Sequence, residues 1–134
     1  MAGIVARQAG EGMTGIRFPR CSPIFRVFDE AKAREFYCDF LGFRVLFEHR
    51  FAPGTPLYMG VERGGFELHL SEHHGDATPG STAFVETEGI RAFHRDLLNK
   101  QYRFNRPGLE EAPWGLLLEV VDAFGNRIRF CERA

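Results

Sequence analysis

One amphipathic helical pattern occurs twice in this chain of 134 residues, and the repetition limits the folds that the chain can adopt. The first copy follows Asp29, a favourable N-cap residue, and the second begins near Thr87. Both copies place side chains at the i, i+3, i+4, i+7, i+8 spacing of one helix face. Each position of the second stripe lies 57 residues after its counterpart: Ala33 and Ile90, Phe36 and Phe93, Tyr37 and His94, Phe40 and Leu97, Leu41 and Leu98. The chain is therefore predicted to contain two copies of one module, with Gly42 ending the first helix.

Short segments with the composition of strands flank the two predicted helices in the same order. One segment precedes each helix and three follow it, separated by turns that contain glycine or proline. The predicted strands cover residues 24–27, 43–47, 57–61 and 66–70 in the first module, and residues 82–85, 102–104, 116–121 and 127–130 in the second. This order predicts an α+β fold in which two βαβββ modules form a curved mixed sheet around a trough, because one module alone encloses too small a core.

The repeat also sets the expected domain limits. A single domain is predicted over residues 19–134, with modules at about 22–75 and 80–133. Residues 1–18 lie outside the repeat and match no element of it. A disordered N-terminal arm and a true start at Met13 both fit this segment, and the sequence leaves that choice open.

The composition excludes several classes of function. The 17 basic and 18 acidic residues give a net charge of −1, so no basic excess is available to bind nucleic acid through its phosphates. No apolar run is long enough to cross a membrane, and the first twenty residues lack the apolar core of a secretory signal. The three cysteines form no Cys-x-x-Cys pair, and we expect them to be reduced in a cytoplasmic protein.

Four short motifs extend across both modules in a fixed order. They are Arg-Val-Phe-Asp at 26–29, Phe-Tyr at 36–37, Leu-Gly-Phe at 41–43 and Asp-Ala-Phe-Gly-Asn at 122–126. Over residues 22–132 the chain resembles the vicinal oxygen chelate superfamily, which includes glyoxalase I, extradiol dioxygenases and the bleomycin resistance proteins. Ala123 departs from the proline that is usual in the last motif. The resemblance implies the glyoxalase/bleomycin-resistance fold and is closest to the bleomycin-resistance type.

The enzymes of this superfamily hold one divalent metal in the trough, with ligands from the first and fourth strands of each module. By resemblance, the equivalent positions here are Ser22, His69, Thr82 and Arg129. Hydroxyl groups bind transition metals poorly and arginine stays protonated, which leaves His69 as the single competent ligand. A catalytic metal needs about three protein ligands and an open position. We therefore expect no metal cofactor and assign no catalytic residue.

A metal site built from neighbouring histidines is the alternative. His69 and His73 have the i, i+4 spacing that binds zinc from a helix. Residues 67–71, however, alternate polar and apolar side chains as a strand does, which places His73 and His74 in the loop that follows. The alternative function is a metal-dependent glyoxalase-like lyase or dioxygenase that binds one divalent ion through His69.

The trough is predicted to bind a small molecule through aromatic and charged side chains. The Trp-Gly pair at 114–115 resembles the pair that lines the ligand groove of bleomycin resistance proteins. Glu119 is a lone carboxylate in an apolar run, so we expect it to face a solvated cavity and to pair with Arg129. A core position for the tryptophan and an outer, edge-facing position for the glutamate are the alternatives. The predicted ligand-binding set is Trp114, His69, Arg129, Glu119, Tyr58 and Phe47.

Together with the resemblance to the bleomycin resistance proteins, these features predict a metal-free, non-catalytic binding protein that sequesters an aromatic, antibiotic-like molecule in the groove of a homodimer. Aromatic faces would stack a flat ligand, and the charged pair would orient it. The net charge of −1 disfavours bleomycin itself, which is strongly cationic. A regulatory protein that uses the trough for protein contact is a further alternative, and the sequence leaves open whether the modules pair within one chain or between two.

Overall fold

The computed structural model describes residues 15–134, so the expectations for residues 1–14 lie outside it. The first module consists of β1 (Ile24–Arg26), α1 (Glu30–Arg34, continued by a π-helical segment over Glu35–Phe40), β2 (Arg44–His49), β3 (Tyr58–Arg63) and β4 (Phe66–Ser71). The second consists of β5 (Thr82–Glu86), α2 (Ile90–Asn99), β6 (Glu110–Ala112), β7 (Gly115–Val121) and β8 (Arg127–Arg133). The predicted βαβββ repeat is confirmed.

The two modules form two four-stranded sheets with the same topology. The strand orders are β1-β4-β3-β2 and β5-β8-β7-β6, and the first pair in each sheet is parallel while the others are antiparallel. The registers correspond as well, since Ile24 lies opposite His69 on β4 and Phe84 lies opposite Arg129 on β8. His69 and Arg129 therefore occupy equivalent positions of the two modules, as the sequence predicted.

The helix boundaries follow from local chemistry. Asp29 caps α1 as predicted, because its carboxylate accepts the Lys32 backbone N–H at 2.9 Å. The prediction that the second helix begins near Thr87 is wrong by three residues, since α2 begins at Ile90. The Thr87 N–H instead donates to the Cys131 carbonyl at 2.8 Å and prolongs the pairing of β5 with β8.

The predicted strand at residues 102–104 is also wrong, because these residues form a turn after α2. The amide of Asn105 bonds to both backbone groups of Val121, donating to its carbonyl at 2.8 Å and accepting its N–H at 3.4 Å. A side chain thus takes the place of a paired strand at this end of β7. The partner strand β6 begins eight residues later than Tyr102, at Glu110.

Both modules contribute to one hydrophobic core. The inner faces of β3 and β4 and those of β7 and β8 pack with the helices into a single cluster of buried side chains, among them Phe25, Phe36, Tyr37, Phe40, Leu68, Leu118, Ile128 and Phe130. Since the apolar faces of both sheets are buried in this core, the polar faces lie outward. Within residues 15–134, no helix is long and apolar enough to span a membrane.

Candidate functional site

Three of the predicted site residues meet on the outward face of the first sheet. Phe47 and Tyr58 are stacked with ring centroids 6.2 Å apart, and the His69 ring lies edge-on to both, at 5.3 Å and 5.4 Å. A register shift between Val45 and Phe47 on β2 turns the Phe47 ring to this face. The ring lies over Gly60, where any Cβ atom would collide with it. The sheet thus has a small aromatic surface with one imidazole.

Both ring nitrogens of His69 are engaged in hydrogen bonds. The Tyr58 hydroxyl lies 2.7 Å from Nδ1, and a Glu67 carboxylate oxygen lies 2.7 Å from Nε2. A carboxylate oxygen is a hydrogen-bond acceptor, so Nε2 donates to Glu67 and Nδ1 accepts from the Tyr58 hydroxyl. Burial raises the pKa of Tyr58, and the charges of Asp76 and Glu67 raise it further, so this hydroxyl stays protonated as a donor.

The other predicted charged residues meet on the outward face of the second sheet. Arg129 Nε donates to Glu119 at 2.8 Å, and Arg127 Nε lies 3.9 Å from the same carboxylate. The predicted pairing of Glu119 with Arg129 therefore exists, and its role towards a ligand stays a prediction. Phe84 lies beside Arg129 in the register and is 48% exposed, although a phenylalanine in a strand is ordinarily buried. Sequence analysis did not identify Phe84 as a site residue, although the alternation of side chains along β5 places it opposite the charged Arg129.

Trp114 lies at the rim of the second sheet. It occupies the tight turn between β6 and β7, directly before Gly115, and its side chain is 53% exposed. Its carbonyl accepts the backbone N–H of Ala134 at 3.2 Å, which ties the turn to the end of the chain. The exposure excludes the alternative of a core tryptophan and leaves the indole available for contact with another molecule.

The structure does not bring the six predicted residues together within one chain. Among residues 15–134, no hydrogen bond, ion pair or ring contact joins Phe47, Tyr58 and His69 to Glu119 and Arg129. Two clefts, of about 880 and 480 Å³, are lined by other side chains, including Phe43, Phe66, Phe93 and Glu132 for the larger one. The predicted site therefore consists of two separate exposed half-sites, one on each sheet.

The residues at the superfamily's metal positions do not fit a metal. His69 would have to give up either Tyr58 or Glu67 to coordinate an ion, and Arg129 brings a guanidinium that is already paired with Glu119. Over the described residues 15–134, no three His, Cys, Asp or Glu side chains are arranged to hold one. His73 and His74 follow β4 in a loop, as expected, where the His73 ring contacts Phe51 at 5.8 Å.

Comparison with known sequences identifies the family. A profile described as glyoxalase superfamily protein matches residues 7–134. The chain belongs to the glyoxalase superfamily. A search of curated proteins finds no match to this glyoxalase superfamily member.

Several solved structures share the fold. The chain is 26% identical to the bleomycin-binding protein of bleomycin-producing Streptomyces verticillus, solved with copper(II)-bleomycin, with a TM-score of 0.67 over 89% of this chain and 99% of that one. It is 19% identical to a bleomycin resistance determinant encoded on the transposon Tn5, with a TM-score of 0.68 over 87% and 98%. It is 21% identical to an antibiotic-binding protein of Streptomyces sp. CB03234, with a TM-score of 0.64 over 89% and 100%. These likenesses confirm the glyoxalase/bleomycin-resistance fold.

Proposed function

We propose that this protein binds an aromatic small molecule without chemistry, in a groove that two copies of the chain complete together. The first-sheet face of one copy, with Phe47, Tyr58 and His69, would lie against the second-sheet face of its partner. Two equivalent grooves would then form in a symmetric homodimer.

The observation that carries this proposal is the division of the site into two exposed halves. The aromatic surface on the first sheet is open, with Phe47 40% exposed, and the second sheet presents Phe84 and Trp114 at 48% and 53%. Large aromatic side chains left in water are typical of surfaces that contact another molecule. A single open sheet face covers only one side of a drug-sized ligand, whereas two facing halves can bury most of one.

The fold relatives support an antibiotic-like ligand. Their names include bleomycin-binding proteins and an antibiotic-binding protein. With a net charge of −1, this chain lacks the acidic excess that would attract a strongly cationic drug. We therefore propose a flat aromatic molecule without strong positive charge as the ligand, with the ion pair of Glu119 and Arg129 orienting it.

The competing function is a metal-dependent lyase or dioxygenase that uses His69. The hydrogen bonds of His69 to Tyr58 and Glu67 oppose it, because they occupy both nitrogens that could bind an ion. We expect protein purified without chelators to hold far less than one metal ion per chain. A metal content near one per chain that is lost in His69→Ala, but kept in the exposed-loop control His74→Ala, would contradict the proposal.

The assembly and the binding can be measured on the same preparation. Light scattering should give twice the chain mass of 15.3 kDa. The fluorescence of Trp114, the single tryptophan of the chain, should change saturably on titration with the neutral aromatic dye N-phenyl-1-naphthylamine. A monomer that shows no saturable response would overturn the proposal.

A further inference from the structure

Arg26 differs from every other half-buried arginine that the structure describes. Each of the others pairs with a carboxylate, as Arg34 and Arg50 do with Glu30, Arg63 with Asp96 and Arg127 with Glu119. Among residues 15–134, no carboxylate pairs with Arg26. A partly buried charge without a counter-charge is costly, so its presence in a strand calls for a physical reason.

The guanidinium of Arg26 is held in place but uses few of its donors. It donates from Nη2 to the Glu72 carbonyl at 3.2 Å, and its Cζ lies 4.5 Å from the centre of the Phe28 ring. The Nε atom is buried and has no hydrogen-bond partner among residues 15–134. A guanidinium has five N–H donors in a planar fork, so the N–H groups of Nη1 and the second N–H of Nη2 are left for an external group.

The carboxylates of the adjoining loop are bound elsewhere. The Glu72 side chain accepts the Leu57 N–H at 3.0 Å, and the Asp76 side chain accepts the Ser71 hydroxyl at 2.8 Å. Because these contacts fix both carboxylates, neither compensates the charge of Arg26. The guanidinium is therefore left to solvent or to an anion that another molecule carries.

Arg26 lies on the same sheet as the aromatic half-site formed by Phe47, Tyr58 and His69. Arg26 on β1 lies opposite Ser71 on β4, which lies opposite Tyr58 on β3. Residues opposite each other share a sheet face, so Arg26 and Tyr58 belong to the same outward face. His69 lies two residues before Ser71 on that face. Arg26 thus forms the cationic end of the aromatic half-site.

From this arrangement we propose that Arg26 is the receptor for an anionic oxygen group, a carboxylate, sulfonate or phosphate, carried by the aromatic ligand. This inference rests on the proposed function, since it assumes that the first-sheet face is a ligand surface. Arginine binds such groups through two parallel N–H donors, and the contact with the Phe28 ring, 4.5 Å from Cζ, helps to hold the guanidinium in place. The ligand would then lie with its rings on Phe47 and its anion at Arg26.

A matched pair of dyes tests the inference. 8-Anilinonaphthalene-1-sulfonate and N-phenyl-1-naphthylamine share one aromatic skeleton and differ by the sulfonate. We expect Arg26→Gln to weaken binding of the sulfonate dye about tenfold or more and to change binding of the neutral dye less than about twofold. Arg95→Gln, which removes an exposed arginine on α2, is the control and should change neither affinity.

Thermal unfolding separates a binding role from a structural one. Arg26→Met replaces an uncompensated cation by an apolar chain of similar length, so the unfolding midpoint should stay the same or rise. A lower midpoint, or an equal loss of affinity for both dyes in Arg26→Gln, would assign Arg26 to the structure and overturn the inference.

The outcomes also distinguish this inference from the proposed function. If both dyes bind and Arg26→Gln leaves the affinity for the sulfonate dye unchanged, the anion receptor is wrong and the aromatic groove stands. If neither dye binds the wild-type protein saturably, the proposed function itself is wrong.

Discussion

The hydroxyl of Tyr37 on α1 donates a 2.6 Å hydrogen bond to the carboxylate of Asp122 in the turn between β7 and β8, and both side chains are buried. The same carboxylate accepts the backbone N–H groups of Phe124 and Asn126, each at 2.8 Å, and the Asn126 amide at 2.9 Å. The Asn126 amide also donates to the Arg26 carbonyl at 2.8 Å. This buried network joins the two modules at the end of the strand that carries Arg26.

Removal of the tyrosine hydroxyl should therefore weaken the junction of the modules. In Tyr37→Phe the buried Asp122 carboxylate loses one of its donors, and we expect the free energy of unfolding to fall by about 1–3 kcal/mol. Tyr102→Phe is the control, because the Tyr102 hydroxyl donates to Glu35 at 2.8 Å at a site that is only half-buried. This substitution should lower the free energy of unfolding by about 0.5–1.5 kcal/mol. Urea denaturation of both variants measures the difference. A smaller loss in Tyr37→Phe than in Tyr102→Phe would contradict this account of the junction.

The aromatic surface depends on the glycine beneath it. A Cβ atom at position 60 would lie 2.9 Å from the Cδ2 and Cζ atoms of Phe47, so Gly60→Ala must push the ring off the sheet. Phe47 is 40% exposed and can turn into solvent, so stability should change by less than about 1 kcal/mol. Affinity for N-phenyl-1-naphthylamine should fall about tenfold, since a stacked ring contributes on the order of 1 kcal/mol or more.

The control for that variant is Gly108→Ala. No heavy atom lies within 4 Å of a Cβ built at Gly108, and its backbone is not in the left-handed region. Dye titration should therefore give wild-type affinity. Equal affinities in the Gly60 and Gly108 variants would remove Phe47 from the binding surface.

All three tyrosines of the chain should resist ionisation in the folded protein. Burial raises the pKa of Tyr37 well above its ordinary value of 10.0, assisted by the charge of Asp122, and burial together with the Glu35 hydrogen bond raises the pKa of Tyr102 to about 12. The pKa of Tyr58 is raised as well. A pKa that is higher in the folded state gives stability that is complete below pH 10 and is lost as the pH rises towards 12.

A spectrophotometric titration checks this expectation. At about pH 10 the unfolded chain should have its phenols half ionised, whereas the folded protein should show little phenolate absorbance until it unfolds. Circular dichroism recorded in parallel reports the fold. Full phenolate absorbance near pH 10 with an unchanged dichroism spectrum would be inconsistent with the environments described for these hydroxyls.

Local patterns predicted the module because local chemistry determines it. The stripe from Ala33 to Leu41 requires a helix, Asp29 caps it, and Gly42 ends it with a φ of 78°. The alternation of residues 67–71 placed His69 on a sheet face for the same reason. These features depend on residues close together in the chain, so the sequence contains enough information to predict them.

Long-range contacts decided what the sequence could not predict. The strand expected at residues 102–104 is absent because the Asn105 amide pairs with Val121, sixteen residues away. The separation of the two half-sites follows from packing between modules, which no local pattern contains. Arg26, however, could have been found: it interrupts an apolar run in the same way as Glu119, and the argument applied to that carboxylate applies equally to it.

Complementation between two defective chains tests most directly whether the site is shared between copies. Phe47→Ala removes an exposed ring from the first-sheet face, and Phe84→Ala removes one from the second, so each variant alone should bind N-phenyl-1-naphthylamine weakly. If each groove joins the first sheet of one copy to the second sheet of its partner, a mixed dimer contains one groove with two intact halves. An equal mixture after subunit exchange should therefore recover about a quarter of the wild-type high-affinity sites. Recovery of no such sites, with mixed dimers demonstrated by mass spectrometry, would contradict a groove shared between two copies.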